Sequence, residues 1–337
     1  MVKGSDRRAD ADGLESTPRE TLRAAAVARR YFLEGRTKSQ IADEFSISRF
    51  KVARLIDWAQ EVGIARVEVT TPASLDAERS LLLERKFGLS TALVLSGEPV
   101  PAPAVPAQLG PATAAIIAEI LEAGDVLGVG WGKTIDAAAT ALPTLPACPV
   151  VQLIGVTSSG TIAVNSSDIV RRVAAKTSGQ AYQLPAPFLV SDATVAEALR
   201  REPMIASTIA MFPQVTKAVL GVGSWDPAES GYISSLPRAD RENLRQLGVA
   251  ADFCALLLDT DGAPVDPGLE TRTIAMTASE IRKVPTVIAA AGGQSKVRAI
   301  LAVLRSGLAS VLVTDAATAA DVLARADASQ LSKPTDG

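Results

Sequence analysis

The chain contains no histidine. That removes Ser-His-Asp and Cys-His catalysis and every histidine-ligated metal site, so no metal centre is expected. Only two cysteines occur, Cys148 and Cys254, far apart and each in apolar surroundings. They read as buried thiols of a reducing compartment, not as a disulfide framework. No apolar run is long enough to span a bilayer, and no signal-peptide core opens the sequence. A cytoplasmic protein with no membrane partner is the expectation, and nothing in the sequence calls for a cofactor.

Charge of either sign is also scarce in sum, with a formal net charge of −3. That argues against wholesale coating of nucleic acid. The distribution matters more: residues 19–66 carry a net +4 and the remainder a net −7. A small basic module on a larger acidic body points to localised phosphate contact. The 337 residues are 47% hydrophobic and 21% charged, which makes the chain globular and long enough for two or three domains.

Lys38 to Leu55 is the most informative stretch. Ile41, Ala42 and Phe45 fall on one face of a short helix, Ile47 fills a turn, and Val52, Leu55 and Ile56 fall on one face of a second helix. Ala42 is small enough for the helices to cross closely. Ser48 is placed to N-cap the second helix. The outer side carries Arg49, Lys51 and Arg54. An apolar inner face with a basic outer face is what a recognition helix in the DNA major groove requires. Ser39, Ser48, Arg49, Lys51 and Arg54 are the expected DNA-binding residues, and operator DNA the expected partner.

Around this motif, residues 1–18 read as a polar, mobile tail. A helix is predicted from Pro18 to Glu34, closed by Gly35. After Gly63, residues 64–69 alternate as a strand and could form one arm of a wing. Residues 73–88 have helical spacing and could link or dimerise. The expected domains are 19–72, a linker helix over 73–90, and 91–330. Pro99, Pro101, Pro103, Pro106 and Pro111 read as a stiff surface loop; a polyproline docking ligand is the other reading.

Beyond that, strands are predicted at 126–130, 149–154, 181–184, 217–222, 254–258, 286–291 and 309–313. Helices are predicted at 111–122, 134–142, 165–178, 192–200, 203–211, 237–247, 294–306 and 315–325. Short apolar strands alternating with amphipathic helices imply an α/β domain with a mostly parallel, doubly wound sheet.

In such sheets ligands bind beyond the carboxyl ends of the strands. Gly128-Val-Gly-Trp-Gly-Lys-Thr134 suits a phosphate or a sugar hydroxyl at a helix N-terminus. It fails the Walker A pattern, because Leu127 stands where that motif needs glycine. Gly155 to Gly160 offers small hydroxyl residues at a strand end. Gly221-Val-Gly-Ser224 and Gly292-Gly-Gln-Ser-Lys296 are two further strand-end loops, and Lys296 could pair with a phosphate. Asp259-Thr-Asp-Gly262 lacks the remaining ligands of a calcium loop and reads as a turn.

Taken in order, the N-terminal module, Gly128 to Thr134, Ala186-Pro187, Gly221 to Ser224, Ala291 to Lys296, and Ala299 to Arg305 with Leu312 to Asp315 resemble the SorC family of bacterial transcriptional regulators. The resemblance spans roughly residues 20–327. It implies a winged helix-turn-helix joined to an effector domain similar to sugar-phosphate isomerases and glucosamine-phosphate deaminases. It further implies a phosphorylated sugar as effector, control of carbohydrate metabolism, and a dimer or tetramer. By motif, effector contacts fall on Gly130, Trp131, Gly132, Thr134, Gly155, Gly223, Ser224, Asp252 and Lys296. The chain departs from the family at Ala251 and Val156, where glycine is usual. The competing class is an isomerase or deaminase, with Asp252 and Lys296 as an acid/base pair; the attached DNA-binding module and the missing histidine speak against it.

Overall fold

The computed structural model describes residues 17–66, 74–156 and 166–331. It separates into two compact units, Met1–Thr70 and Thr71–Gly337.

Among the described residues, the first unit holds three helices: α1 Pro18–Phe32, α2 Lys38–Phe45 and α3 Arg49–Glu61. Each is fixed by its N-cap: Thr17 accepts from Glu20 N, Thr37 forms a capping box with Gln40, and Ser48 accepts from Lys51 N. These side chains satisfy amides that the first helical turn leaves orphaned. Ser46, at φ 51°, takes the left-handed conformation that ends α2 and aims the chain into α3. Ala24, Val27, Ala28, Ile41, Ala42, Val52, Leu55, Ile56 and Ala59 form the core, with Phe45 and Ile47 half-buried around it. The polar tail through residue 16, and most of the strand expected at 64–69, lie outside the described residues. Ile64 and Ala65 pack against the three-helix core.

The second unit holds two sheets among the described residues. Strands β1 Thr91–Leu95, β2 Leu127–Val129, β3 Val150–Gln152, β4 Ala181–Tyr182, β5 Lys217–Gly221, β10 Thr286–Ala290 and β11 Val311–Asp315 form one parallel sheet. Its order is β1-β11-β10-β5-β2-β3-β4. From β2 the chain winds outward through β3 and β4; from β5 it winds the other way, through β10 to β11. The strand order therefore reverses between β2 and β5. Apolar strands such as Val311–Asp315, buried along their whole length, are what a sheet covered on both faces requires.

The second sheet was not anticipated. Strands β6 Gly223–Trp225, β7 Ala228–Glu229, β8 Val249–Phe253 and β9 Leu256–Asp259 pair antiparallel in the order β7-β6-β8-β9. Gly221 to Ser224, read as a strand-end loop, is instead where the chain passes from β5 into β6. The strand expected at 254–258 is broken by a turn at Cys254 and Ala255, whose φ values of 53° and 65° no extended residue adopts.

Helix α4, Ala77–Phe87, in the segment expected to link or dimerise, packs on β1 through buried Leu83. The chain ahead of it bridges β1 at Leu75–Leu95. The proline run is only partly a loop: α5 begins at Val105 and runs to Ile120. Pro106 sits in its first turn, where no N–H is needed.

Candidate DNA-binding helix and effector site

On α3, Arg49 and Arg54 are exposed, as are Ser48 at its cap and Ser39 on α2. The Ser48 hydroxyl is engaged in capping, 3.1 Å from Lys51 N. Ser48→Ala is expected to cost about 1 kcal/mol of stability in chemical denaturation, and Ser48→Gly only a few tenths. Equal losses for the two variants would mean that the hydroxyl does not cap. Lys51 is half-buried and leans toward α1, 3.5 Å from Glu20 Oε1. That ion pair turns it partly away from the outer face where the sequence placed it. Phe50, to which the sequence pattern assigned no role, is 84% exposed.

In the larger unit, the loops leaving β2 and β5 meet at the reversal of strand order. Trp131 and Gly132 follow β2. Gly132, at φ 137°, starts α6, Lys133–Ala141, with no side-chain cap. The first amides of that nine-residue helix therefore face the sheet edge unshielded by a cap. Thr134 lies in this turn and is half-buried. A Cβ on Gly221 would come within 2.9 Å of the Trp131 carbonyl, so the two loops lie against each other.

Beside them sits Asp252 on β8, opposite Gly223 in register and only 4% exposed. Its carboxylate fills the space a Cβ on Gly223 would take, so glycine is required there. Ser230 donates a hydrogen bond to Asp252 Oδ1. Lys296 reaches in from the loop after β10, and its Nζ donates to the Val222 carbonyl at 2.5 Å. Ser224 Oγ donates to the Ser295 carbonyl at 2.8 Å, tying β6 to that same loop.

Burial drives the electrostatics. It pushes the Asp252 carboxyl up from its ordinary value, against Ser230, Lys296 and Trp225, which favour the charged form. It pushes the Lys296 ammonium down, against the attraction of Asp252 and Glu229. Both groups are pushed toward neutrality, which is what an acceptor and a cation held out of water should show.

Trp225 was also missed. On β6 it lies two residues beyond Gly223, so it shares a sheet face with Asp252. Its indole Nε1 is buried without a hydrogen-bond partner. It lies close enough to Asp252 to favour the carboxylate yet falls short of a full hydrogen bond. A chain of aromatic contacts then runs from Trp225 through Tyr232 and Phe188 to Trp131, at 6.3, 5.1 and 5.1 Å. The only advance signal for Trp225 was its spacing from Gly223.

Two expected residues contribute differently. The N–H of Gly130 goes to the Val219 carbonyl and that of Gly155 to the Ile274 carbonyl, both at 2.9 Å. Neither amide remains for a ligand. Gly155 lets the backbone at Ala186 and Phe188 pass against it, where a side chain would collide. Thr157 to Gly160 lie outside the described residues. Asp259 accepts from the amides of Asp261 and Ala263, which holds the turn, and no group of residues able to hold a metal occurs among the described residues. Both cysteines are free and buried. No helix is long and apolar enough to cross a membrane among the described residues.

A capped helix-turn-helix joined in one chain to a doubly wound domain, with Asp252 and Lys296 near the reversal of strand order, defines a ligand-responsive DNA-binding regulator. Comparison with known proteins agrees. Residues 71–324 match the family described as "Putative sugar-binding domain". The transcriptional regulator LsrR of Klebsiella pneumoniae is 31% identical over 314 residues, covering 90% of this chain and 93% of that protein. The erythritol catabolism regulatory protein EryD of Brucella abortus is 30% identical over 307 residues, covering 88% and 94%. The full-length sorbitol operon regulator SorC of Klebsiella pneumoniae shares the fold, with a TM-score of 0.70 at 22% identity over 90% of this chain and 99% of that one. The chain belongs to the SorC family of transcriptional regulators, built from a DNA-binding module and a sugar-binding domain. Both of these relatives are named as regulators, one of them of erythritol catabolism, and not as enzymes, which sets aside the isomerase or deaminase reading.

Proposed function

We propose that the chain is a cytoplasmic repressor or activator whose operator affinity is switched by a phosphorylated sugar or polyol. The effector would bind where the strand order reverses between β2 and β5. The observation that carries this is the buried Asp252 paired with the half-buried Lys296, beside the uncapped start of α6. A phosphate suits the amides of that helix and the nearby Lys296 and Lys133. Asp252 would accept from sugar hydroxyls, and the unpartnered indole N–H of Trp225 would donate to one. Two relatives named for erythritol and sorbitol point to polyhydroxylated effectors.

The switch would be a population shift: the effector favours one arrangement of subunits, and that arrangement differs in operator affinity. One helix-turn-helix makes too few base contacts for genomic specificity, so binding as a dimer or tetramer on paired half-sites is expected. Sedimentation should find at least a dimer at micromolar concentration, and only monomer, with and without DNA, would count against it.

The effector is tested by thermal shift with pentose, hexose and polyol phosphates, each beside its unphosphorylated parent, and by mass spectrometry of any ligand retained on purification. Phosphorylated compounds alone should stabilise the protein. Stabilisation by the unphosphorylated parents instead would sink the phosphate part of the proposal.

A further inference from the structure

The inward face of α3 is set by Val52, Leu55, Ile56 and Ala59, all buried. Phe50 stands two residues before Val52, about 200° away around the helix, and so faces outward. Arg54 follows one turn later and shares that outer row. Phe50 occupies the second position of the helix and is 84% exposed. The adjoining Arg49 is exposed too.

Single exposed apolar residues are common and carry no message by themselves. Leu22 and Leu33 in the same unit are as bare as Phe50. The position of Phe50 sets it apart. It lies in the first turn of the helix that a helix-turn-helix inserts into the major groove, where the N-terminal residues meet base edges. It is framed there by arginines that suit the flanking phosphates. A phenyl ring has no donor or acceptor with which to read a base edge. The one apolar group the major groove presents is the C5 methyl of thymine.

We propose that Phe50 is a specificity-determining residue that reads a thymine methyl in each half-site of the operator. The ring excludes water from that methyl, while Arg49 and Arg54 supply the charge. Phe50 thus contributes selectivity without counterion release, and the arginines contribute the salt dependence.

The test uses the full chain and a duplex that this chain selects from a random-sequence pool. Each thymine of the selected duplex is replaced in turn by deoxyuridine, which removes the methyl and nothing else. At one thymine per half-site the parent protein should lose about fourfold in affinity, the effect of one buried methyl-sized group. Phe50→Ala, which removes the ring from both half-sites, should bind the thymine duplex about sixteenfold more weakly, ignore the deoxyuridine substitution, and keep the parent's salt slope. Arg49→Ala should keep the methyl dependence and show a shallower salt slope. Because Phe50 is exposed, the melting temperature of Phe50→Ala should match the parent's. A parent protein indifferent to every deoxyuridine would overturn the proposal, as would a Phe50→Ala variant that shows the same deoxyuridine penalty as the parent. A change in sedimentation with no change in thymine preference would assign Phe50 to a protein contact and equally overturn it.

Discussion

Replacing Arg49 and Arg54 together with alanine is expected to weaken operator binding by roughly a hundredfold, at about 1.5–3 kcal/mol for each charge-assisted contact to a phosphate. Both side chains are exposed on α3 and neither belongs to the three-helix core, so the fold should survive. The core rests on Ile41, Val52, Leu55 and their neighbours, and the start of α3 rests on Ser48. The dependence of log affinity on log salt should also become shallower, by about one for each phosphate that the variant no longer neutralises. Lys51→Ala should do less than either arginine change, because Lys51 is already partly turned toward Glu20. Filter binding or fluorescence anisotropy across a salt series reads all three quantities. A double variant that binds as tightly as the parent would show that α3 does not enter the groove.

The small unit was legible because its signals are local. Three N-caps, a left-handed turn residue and apolar positions spaced three and four apart lie within one 45-residue stretch of sequence. Each of them acts on its immediate neighbours in the chain. The parallel sheet was legible for a similar reason, since its strands are short apolar runs separated by amphipathic helices. What escaped was non-local. The antiparallel sheet is assembled from three-residue β6, two-residue β7 and the hairpin of β8 and β9, too short to show a period. Its hairpin turns at Cys254-Ala255, two residues with none of the usual turn chemistry. The site divides the same way. Lys296 and the start of α6 announce themselves beside glycines. Trp225, Ser230 and the route from Trp131 through Phe188 become neighbours only when the second sheet folds over the carboxyl edge of the first.

Lys296→Met should abolish stabilisation by the effector while leaving effector-free operator binding intact. Methionine keeps much of the length and the apolar stem; it removes the charge and the donor that reaches the Val222 carbonyl. In the parent, an effector at about a hundred times its Kd should add roughly 2.7 kcal/mol to the unfolding free energy, and in the variant the same compound should add nothing. Gly223→Ala should reach the same end by another route. Its Cβ would occupy the space of the Asp252 carboxylate, and the carboxylate would have to leave its bond with Ser230. The lysine variant should also carry a pH signature. Lys296 favours the charged form of Asp252. Without it, the folded-state value of Asp252 climbs further above its ordinary 3.8. In the window between those two values the native state binds more protons than the unfolded chain, so stability falls as pH rises through it. The cost of Lys296→Met should therefore be small below that ordinary value and larger near neutral pH, and a second change, Asp252→Asn, should remove the difference. Denaturation curves of the three proteins at acidic and neutral pH measure it. A cost that did not vary with pH would mean that Lys296 and Asp252 are not coupled, and the site would lose the pair on which effector recognition is argued to depend.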